Sequence, residues 1–264
     1  MINHEKGKRY DGGGENMKYA CYGKVEGVQI PFEHDEKDPD IVFSFGGDGT
    51  MLGAIHQYEK LLHKVKFIGI NTGRLGFFND YNLDELPEII ENIKSGNYKV
   101  EHCQLLEYTL ENDEECLSGY AVNEIALTNP IHTQIIDIFI NDKLFETFRG
   151  TGFLISPPTG STAYNKSLGG SVIDPNVRAI QLTEIAPINN RVYKVLQSPL
   201  ILSEKAKVKL NVKESDFNYI AVDGKYLEFN KLKNIYARLS EKAVGFIMKK
   251  DTDFFDRVRR AFIE

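Results

Sequence analysis

The sequence predicts an α/β domain followed by a β-rich domain, with a helix at the C-terminus. Three observations support this fold class. Over residues 40–98, short apolar runs that fit buried strands alternate with apolar residues spaced three and four apart, as on one helix face. After about residue 99 the period shortens towards two, which is typical of strands with one covered face. A helical spacing returns over the last residues of the chain.

The first domain is predicted over residues 17–98, and its elements follow one another as strand, helix, strand, loop and helix. The candidates are a strand over 40–45, a helix over 51–62, a strand over 65–70 and a helix over 86–93. Thr50 is a candidate N-cap of the first helix, and Gly96 ends the second. This order is typical of a Rossmann-like α/β domain.

The central domain is predicted over residues 99–249 as β-rich and β-sandwich-like, because its candidate strands are short and alternate in polarity. They are Glu101–Leu110, Tyr120–Leu127, Ile135–Ile140, Leu144–Phe148, Phe153–Ser156, Lys207–Val212, Tyr219–Val222 and Ile235–Leu239. Asn141-Asp142 and Asp223-Gly224 are turn signals. Residues 250–264 form an amphipathic helix that we expect to return to the first domain; a partner-binding helix is the alternative.

Composition and charge place the chain among globular proteins. Its 264 residues are 42% hydrophobic and 27% charged, and the net charge of −6 argues against a broad nucleic-acid-binding face. The three cysteines form no C-x-x-C pair, which predicts reduced thiols in a cytoplasmic protein. No apolar run approaches the roughly 20 residues of a membrane helix, so we expect no membrane partner. Residues 1–16 are polar and predict a disordered leader or tag.

Glycines concentrate in two clusters, between Gly46 and Gly76 and between Gly150 and Gly170, which suggests one site built from distant loops. In the run Gly46–Thr50 (GGDGT), glycines let backbone N–H groups approach phosphate oxygens at a helix N-terminus. The spacing fits neither G-x-G-x-x-G nor the P-loop. Asp48 could accept a proton from a hydroxyl during phosphoryl transfer, and the simpler alternative is an Asp-Gly turn.

Two further polar features stand in the second domain. Thr159–Gly170 offers hydroxyl groups, a tyrosine and an asparagine to a polar ligand, and the alternative is a flexible surface loop. Asn123-Glu124 interrupts apolar residues, so that one of the pair faces the covered side of a strand; the alternative is a solvent-facing glutamate at a strand bend. His56 and His63 lack a third ligand, and no metal site built from protein residues is predicted.

Four motifs together resemble those of NAD kinases, in the same order along the chain. They are Gly46–Thr50, Asn71–Phe77 (NTGRLGF), Asn123-Glu124 and Thr159–Tyr164 (TGSTAY). The resemblance covers nearly all of residues 17–264 and looks strongest to the short enzymes of Gram-positive bacteria. The first motif is also found in diacylglycerol kinases and phosphofructokinases. The resemblance to NAD kinases therefore rests on all four motifs together.

The resemblance implies ATP-dependent phosphorylation of the adenosine ribose 2′-hydroxyl of NAD, which gives NADP. Asp48 would be the general base, and Asn123 and Glu124 would hold the ribose. The phosphate loop would be Gly46, Gly47, Gly49 and Thr50. The other residues implied in NAD binding are Asp48 itself, Gly49, Phe77, Arg149, Thr151, Thr162, Ala163, Tyr164, Ser167 and Ala186. Mg²⁺ with ATP, or polyphosphate, would supply the phosphoryl group, and a homo-oligomer (dimer or tetramer) would present Arg149 at a subunit interface.

The sequence departs from the family pattern at three places. Thr151 stands where the family commonly has Asp, residues 17–40 are too few for the usual first strand, helix and second strand, and residues 1–16 have no counterpart in the family. Two alternative functions stay open. One is a catalytically weak NAD- or NADP-binding regulator, and the other is a diacylglycerol-kinase-like lipid kinase that shares only the first glycine motif.

Overall fold

The computed structural model describes residues 17–24, 26–73, 76–213 and 218–264. The chain divides into a first unit, up to Glu101 with Phe246–Asp253, and a second unit, His102–Gly245 with Phe254–Glu264. The predicted leader over 1–16 lies outside the described residues, as do residues 74 and 75 of the NTGRLGF motif. Within the described ranges, no helix is both long and apolar enough to cross a membrane.

The first unit is built on parallel strands with two helices. Its strands are β1 (Lys18–Gly23), β2 (Glu33–His34), β3 (Ile41–Phe45), β4 (Lys66–Asn71) and β5 (Tyr81–Asn82), and its helices are α1 (Asp48–Gln57) and α2 (Leu86–Lys94). The pairs β2–β1, β1–β3, β3–β4 and β4–β5 are all parallel. All five residues of β3 are buried, as expected of a parallel strand covered on both faces.

The start of α1 differs from the sequence prediction. Its N-cap is Gly47, and no side chain caps it. The prediction that Thr50 caps the helix is therefore wrong: the N–H of Thr50 already donates to the carbonyl of Gly47 within the first turn. The Thr50 side chain instead packs against Gly46, where a Cβ would overlap the Thr50 hydroxyl. This contact requires glycine at the end of β3.

The second unit is almost entirely antiparallel. The strands from residue 99 onwards are β6 (Lys99–Glu111), β7 (Cys116–Ala121), β8 (Ile125–Thr128), β9 (Gln134–Ile140), β10 (Lys143–Ser156), β11 (Ala179–Pro187), β12 (Leu200–Ser203), β13 (Lys207–Val212), β14 (Tyr219–Val222), β15 (Lys225–Leu227) and β16 (Asn234–Met248). The start of β6 and the end of β16 belong to the first unit. A short helix α3 (Tyr164–Ser167) and the C-terminal α4 (Phe254–Phe262) complete the second unit. Neighbouring strands run in the order β15, β14, β8, β10, β9, β13 and β16, with β11 and β12 following on β10.

The long strand β10 organises the second unit. Its first part pairs with β9, and its last residues pair with β8 on one side and β11 on the other. The two predicted strands Leu144–Phe148 and Phe153–Ser156 are thus one strand. Phe148 is fully buried, and its ring lies edge-on to that of Phe153 at a centroid distance of 5.5 Å. These rings lie in the main apolar core of the unit.

The prediction for the C-terminal helix is corrected by the structure. The chain does return to the first unit, but it does so through Phe246–Asp253, while α4 groups with the second unit. Lys166 of α3 lies 4.2 Å above the ring of Phe262, a cation–π contact that docks the end of α4 on its own unit. Phe254 is buried at the start of the helix.

Truncation of Phe148 tests the core of the second unit. We expect Phe148→Ala to lower the free energy of unfolding by about 3–5 kcal/mol, because a fully buried ring leaves a cavity. Phe255→Ala makes the same chemical change at a ring that is 63% exposed on α4, and should cost less than about 1 kcal/mol. Urea denaturation of both variants measures the difference; equal losses would contradict this description of the core.

Candidate active site

The loop after β3 brings the GGDGT motif to the N-terminus of α1. The N–H of Gly46 donates to the carbonyl of Ile70 at 3.0 Å, which ties the loop to the end of β4. A Cβ at Gly47 or Gly49 would meet no atom within 4 Å, so the approach to these residues from solvent is open. Free backbone N–H groups and the positive end of the helix dipole make this terminus suited to a phosphate.

Asp48 connects this loop to the second motif of the first unit. Its carboxylate accepts hydrogen bonds from the backbone N–H groups of Phe77 at 2.8 Å and Phe78 at 2.9 Å. The side-chain amide of Asn79 adds a longer bond of 3.4 Å. A Cβ at Gly76 would overlap the carboxylate, so glycine is required there. The simple Asp-Gly turn is therefore an insufficient description, because Asp48 organises a loop about 30 residues away.

Asn123 and Glu124 lie in the gap between β7 and β8, where one strand was predicted. Both are buried, at 8% and 6% exposure, and the solvent-facing alternative for Glu124 is wrong. Asn123 Oδ1 and Glu124 Oε2 accept no hydrogen bond from the described residues. Buried polar atoms without partners are costly and rare, so two in succession indicate a place where a ligand supplies the missing donors.

The environment of Glu124 changes its acidity. Burial, followed by the nearby charge of Asp223, raises the pKa of Glu124 to about 7, while a hydrogen bond from the backbone N–H of Tyr164 acts in the opposite direction. The carboxyl group therefore gains or loses a proton close to neutral pH. Titratable groups with such shifts are typical of functional sites.

The second glycine cluster is ordered by its contacts. Gly160 packs directly on the backbone of Asn123, and a Cβ there would overlap the Asn123 carbonyl oxygen. The Ser161 hydroxyl donates to the carbonyl of Ile173 at 3.3 Å and accepts from the N–H of the same residue at 2.9 Å. Since residues 157–161 are buried, a loose surface loop does not describe this segment.

Asn165 fixes the short helix α3. Its amide donates to the hydroxyl of Ser156 on β10 at 2.7 Å, and its carbonyl accepts from the hydroxyl of Thr183 on β11 at 2.6 Å. All three side chains are buried. With Asn165 held inside, Tyr164 and Ser167 point outwards, and 42% of Tyr164 is exposed and free to pack on a flat ring.

The remaining residues implied by the resemblance fall into two groups. Thr162 and Ala163 lead directly into α3, and the hydroxyl of Thr162 donates to the carbonyl of Thr159 at 3.3 Å. Thr151 and Ala186 lie across from each other, because Gly150 pairs with Pro187 and Gly152 with Ile185 on β10 and β11. Arg149 precedes them, and its guanidinium group lies 4.3 Å from the centre of the Tyr193 ring.

Three residues of these arrangements were not assigned a role from the sequence: Asn79, Asn165 and Asp223. Asp223 was recognised only as part of an Asp-Gly turn, and Asn165 only as one polar residue of a cluster. Their partners are distant in sequence, about 100 residues away for Asp223, so no local spacing could reveal them. No set of three or more His, Cys, Asp or Glu residues in the described ranges is arranged to hold a metal ion.

Comparisons with known proteins follow the same two units. Residues 24–98 match the family model of the ATP-NAD kinase N-terminal domain, and residues 122–248 match that of the ATP-NAD kinase C-terminal domain. An NAD kinase of Streptococcus agalactiae serotype Ia is 40% identical over 256 residues, which cover 94% of this chain and 93% of that protein. An NAD kinase of Streptococcus pneumoniae (strain Hungary19A-6) is 42% identical over 235 residues, covering 87% and 85%.

Two solved structures are similar in fold. Yeast NADH kinase complexed with NADH aligns with a TM-score of 0.74 and 24% identity, over 84% of this chain and 66% of the yeast protein. An NAD kinase from Archaeoglobus fulgidus in complex with ATP aligns with a TM-score of 0.72 and 24% identity, over 93% of this chain and 97% of that one. At this identity the likeness establishes the fold alone: an N-terminal α/β domain with a β-sandwich-like domain, as predicted.

The raised pKa of Glu124 predicts a pH-dependent stability. The folded state favours the protonated carboxyl, so the contribution of Glu124 to the free energy of unfolding falls as pH rises from about 4.5, its ordinary pKa, to about 7. Glu124→Gln removes this penalty. As the pH rises from 5 to 8, the free energy of unfolding of the variant should therefore increase by up to about 3 kcal/mol relative to that of the unsubstituted protein. Denaturant unfolding at both pH values measures it.

Glu115→Gln is the matched control, because Glu115 is exposed between β6 and β7. Its stability should follow that of the unsubstituted protein at both pH values. If Glu124→Gln does the same, Glu124 has an ordinary pKa in the folded protein.

Proposed function

The chain belongs to the NAD kinase family, and we propose that it transfers a phosphoryl group from ATP to the 2′-hydroxyl of the adenosine ribose of NAD, giving NADP. The observation that carries the proposal is the pair of adjacent buried oxygens, Asn123 Oδ1 and Glu124 Oε2, which accept no hydrogen bond from the described residues. Ribose hydroxyl groups donate hydrogen bonds, and a polar gap of this kind suits them.

Asp48 is the proposed general base. Donors from Phe77, Phe78 and Asn79 fix the direction of its carboxylate, yet they occupy only part of its capacity of about four hydrogen bonds. The remaining lone pair, on Oδ2, is able to accept the proton of an attacking hydroxyl group. An oriented carboxylate loses little entropy on meeting its substrate, which favours the reaction.

The phosphate groups of the donor are proposed to lie against Gly46, Gly47, Gly49 and the first turn of α1. Thr50 adds its side chain beside Gly46. The described residues offer no three-ligand cage for Mg²⁺, so we propose that the metal accompanies the phosphate groups of ATP and we assign no step to a protein-bound ion. Such an ion neutralises charge on the phosphoryl oxygens. Polyphosphate would offer the same anionic groups to this loop.

The nucleoside contacts are proposed for the exposed residues around α3 and the end of β10. Tyr164 and Ser167 point outwards beside Thr162 and Ala163. Phe77, Arg149, Thr151 and Ala186 complete the proposed set. Thr151 brings a hydroxyl group where the family commonly has a carboxylate, so it can hydrogen-bond a ligand without adding charge. A lipid kinase sharing only the GGDGT loop would leave Asn123 and Glu124 without a task, and no comparison supports it or the inactive regulator.

A homo-oligomer in the cytoplasm is part of the proposal. Cys21, Cys103 and Cys116 form no disulfide bond with one another, which suits a reducing compartment. An apolar surface on the second unit suits a second copy of the chain; its exposed members are Leu144, Phe145, Ile188, Val192 and Leu196. Ile188 and Leu196 lie beside β10, which carries Leu144 and Phe145, since the N–H of Leu196 donates to the Glu146 carboxylate and the N–H of Ile188 donates to the Arg149 carbonyl. Val192 belongs to the same connection between β11 and β12.

Substitution of Asp48 tests the reaction. We expect Asp48→Asn to lower the turnover number for NADP formation from NAD, ATP and Mg²⁺ by about 10²–10⁴-fold, because the amide cannot accept the proton. Asp84→Asn, at an exposed position of the same unit, should leave turnover unchanged. Thermal melts and NAD calorimetry verify that the Asp48 variant is folded and binds. Full turnover in this variant, or no NADP from the unsubstituted protein, would refute the proposal.

Light scattering tests the assembly. We expect the unsubstituted chain to elute as a dimer or tetramer, and Val192→Asp to shift it to a smaller species, because the charge would be buried in the interface. Val192 is 78% exposed. Ile131→Asp, at a residue that is 59% exposed outside this surface, is the control and should leave the mass unchanged. A monomeric unsubstituted chain would contradict the expectation.

A further inference from the structure

Asp223 occupies a hairpin turn and yet points inwards. It joins β14 to β15 together with Gly224, and both residues have positive φ, at 50° and 74°. Such two-residue turns favour Asp or Asn followed by Gly, and they make no demand on the aspartate carboxylate. The side chain is nevertheless only 6% exposed. The turn therefore explains the residue type at this position but leaves the buried carboxylate unexplained.

The carboxylate binds the backbone of the segment that carries the two unpartnered oxygens. Asp223 Oδ2 accepts from the N–H of Val122 at 2.9 Å, and Oδ1 accepts from Asn123 at 2.7 Å and from Glu124 at 3.2 Å. The N–H of Asp223 in turn donates to the carbonyl of Glu124 at 3.1 Å. One residue thus makes four hydrogen bonds to a segment that lies between two strands and has no ladder of its own.

Asp223 is also the charged group that acts on Glu124. Both carboxyl groups are buried, and repulsion between like charges disfavours the ionised form of the second one. Among the described residues, the backbone N–H of Tyr164 acts in the opposite direction and favours ionisation. Asp223 therefore fixes the backbone of Glu124 and, after burial itself, is the second cause of its raised pKa.

We propose that Asp223 is a positioning residue of the reaction: it holds the backbone of Asn123 and Glu124 so that their side chains lie where the ribose binds. The inference rests on the proposed function, since Asn123 and Glu124 are taken as the ribose contacts. Asp223 itself does not touch the reacting groups. It acts through the backbone N–H groups and through its charge.

The test compares Asp223→Asn with a matched substitution. Asp142→Asn makes the same change at an aspartate with a φ of 64° in the turn between β9 and β10, where the side chain is exposed. Asparagine tolerates positive φ, so both turns should survive. The amide introduced by Asp223→Asn, however, retains one acceptor oxygen for three N–H groups and carries no charge. Two quantities are measured on the full chain: the pH profile of kcat/KM for NAD, and the ¹³C NMR titration of the Glu124 carboxyl group.

We expect Asp223→Asn to lower kcat/KM for NAD by about tenfold to a hundredfold, as a small misplacement of binding groups does. The Glu124 inflection should move to lower pH by about one unit or more, because the neighbouring charge is gone. Glu124→Gln identifies that inflection by removing it, and Asp142→Asn should change neither quantity. Lost activity with an unmoved Glu124 titration would overturn the inference, because a merely structural residue would do the same.

Asp223→Glu keeps the test decisive if the asparagine variant does not fold. The charge remains beside Glu124 but its carboxylate is displaced by one methylene group, so kcat/KM should fall while the Glu124 titration stays near pH 7. A titration that moves to ordinary values in this variant would contradict the inference. Failure of the proposed function gives a different result: the unsubstituted protein makes no NADP, while the NMR titration still responds to Asp223→Asn.

Discussion

The carboxylate of Asp223 allows the chain to leave the sheet and remain buried. Residues 122–124 lie between β7 and β8, so their N–H groups have no strand to pair with. In the interior each unpaired N–H group would cost about 1–3 kcal/mol. Asp223 accepts all three hydrogen bonds, and Gly160 can then pack on the Asn123 carbonyl from the other side. The shape of the polar centre of the second unit depends on this one acceptor.

In the first unit too, a single carboxylate accepts hydrogen bonds from successive backbone N–H groups, but the charges around it are different. Asp48 also accepts two successive backbone N–H groups, from Phe77 and Phe78, and thereby fixes a distant loop. It stands in the first turn of α1, where a negative charge is favourable next to the helix dipole. Asp223 stands beside a second carboxyl group instead. The contacts of Asp48 orient its own charge at the edge of solvent, whereas the charge of Asp223 makes the ionisation of Glu124 less favourable.

The elements that follow a regular period could be predicted from the sequence. The parallel strands β3 and β4, helix α2, and several antiparallel strands, including β13 and β14, match closely, whereas α1 begins and ends earlier than the predicted 51–62. Strand β11 was missed because its polar Gln181 and Thr183 are buried and hydrogen-bonded, so polarity does not alternate along it. The break between β7 and β8 was missed because its cause, Asp223, is about 100 residues away.

The residues of the candidate site also fall into those that the sequence predicted and those that it did not. Family motifs predicted Asp48, Asn123 and Glu124 as candidate site residues, because each motif is visible in a short stretch of sequence. The supporting residues were invisible because they act through the backbone or through contacts far apart in the chain. Asn165 illustrates this, since its role follows from bonds to Ser156 and Thr183 rather than from its neighbours in α3. The contact of α4 with Lys166 of α3, through the ring of Phe262, likewise joins residues about 100 positions apart, which no periodicity could reveal.

The unpartnered oxygens of Asn123 and Glu124 lower the stability of the folded protein without ligand, and they favour the binding of a ligand that donates hydrogen bonds. A buried acceptor without a donor weakens the folded state, and the like charge of Asp223 adds to this when Glu124 is ionised. The rest of the second unit must compensate, which it does with the large core around Phe148 and the hydrogen bonds of Asn165. A ligand that brings hydroxyl donors removes the penalty at the moment of binding. Because any ligand that prefers the folded state stabilises it, the polar gap favours binding for the same reason that it costs stability when empty.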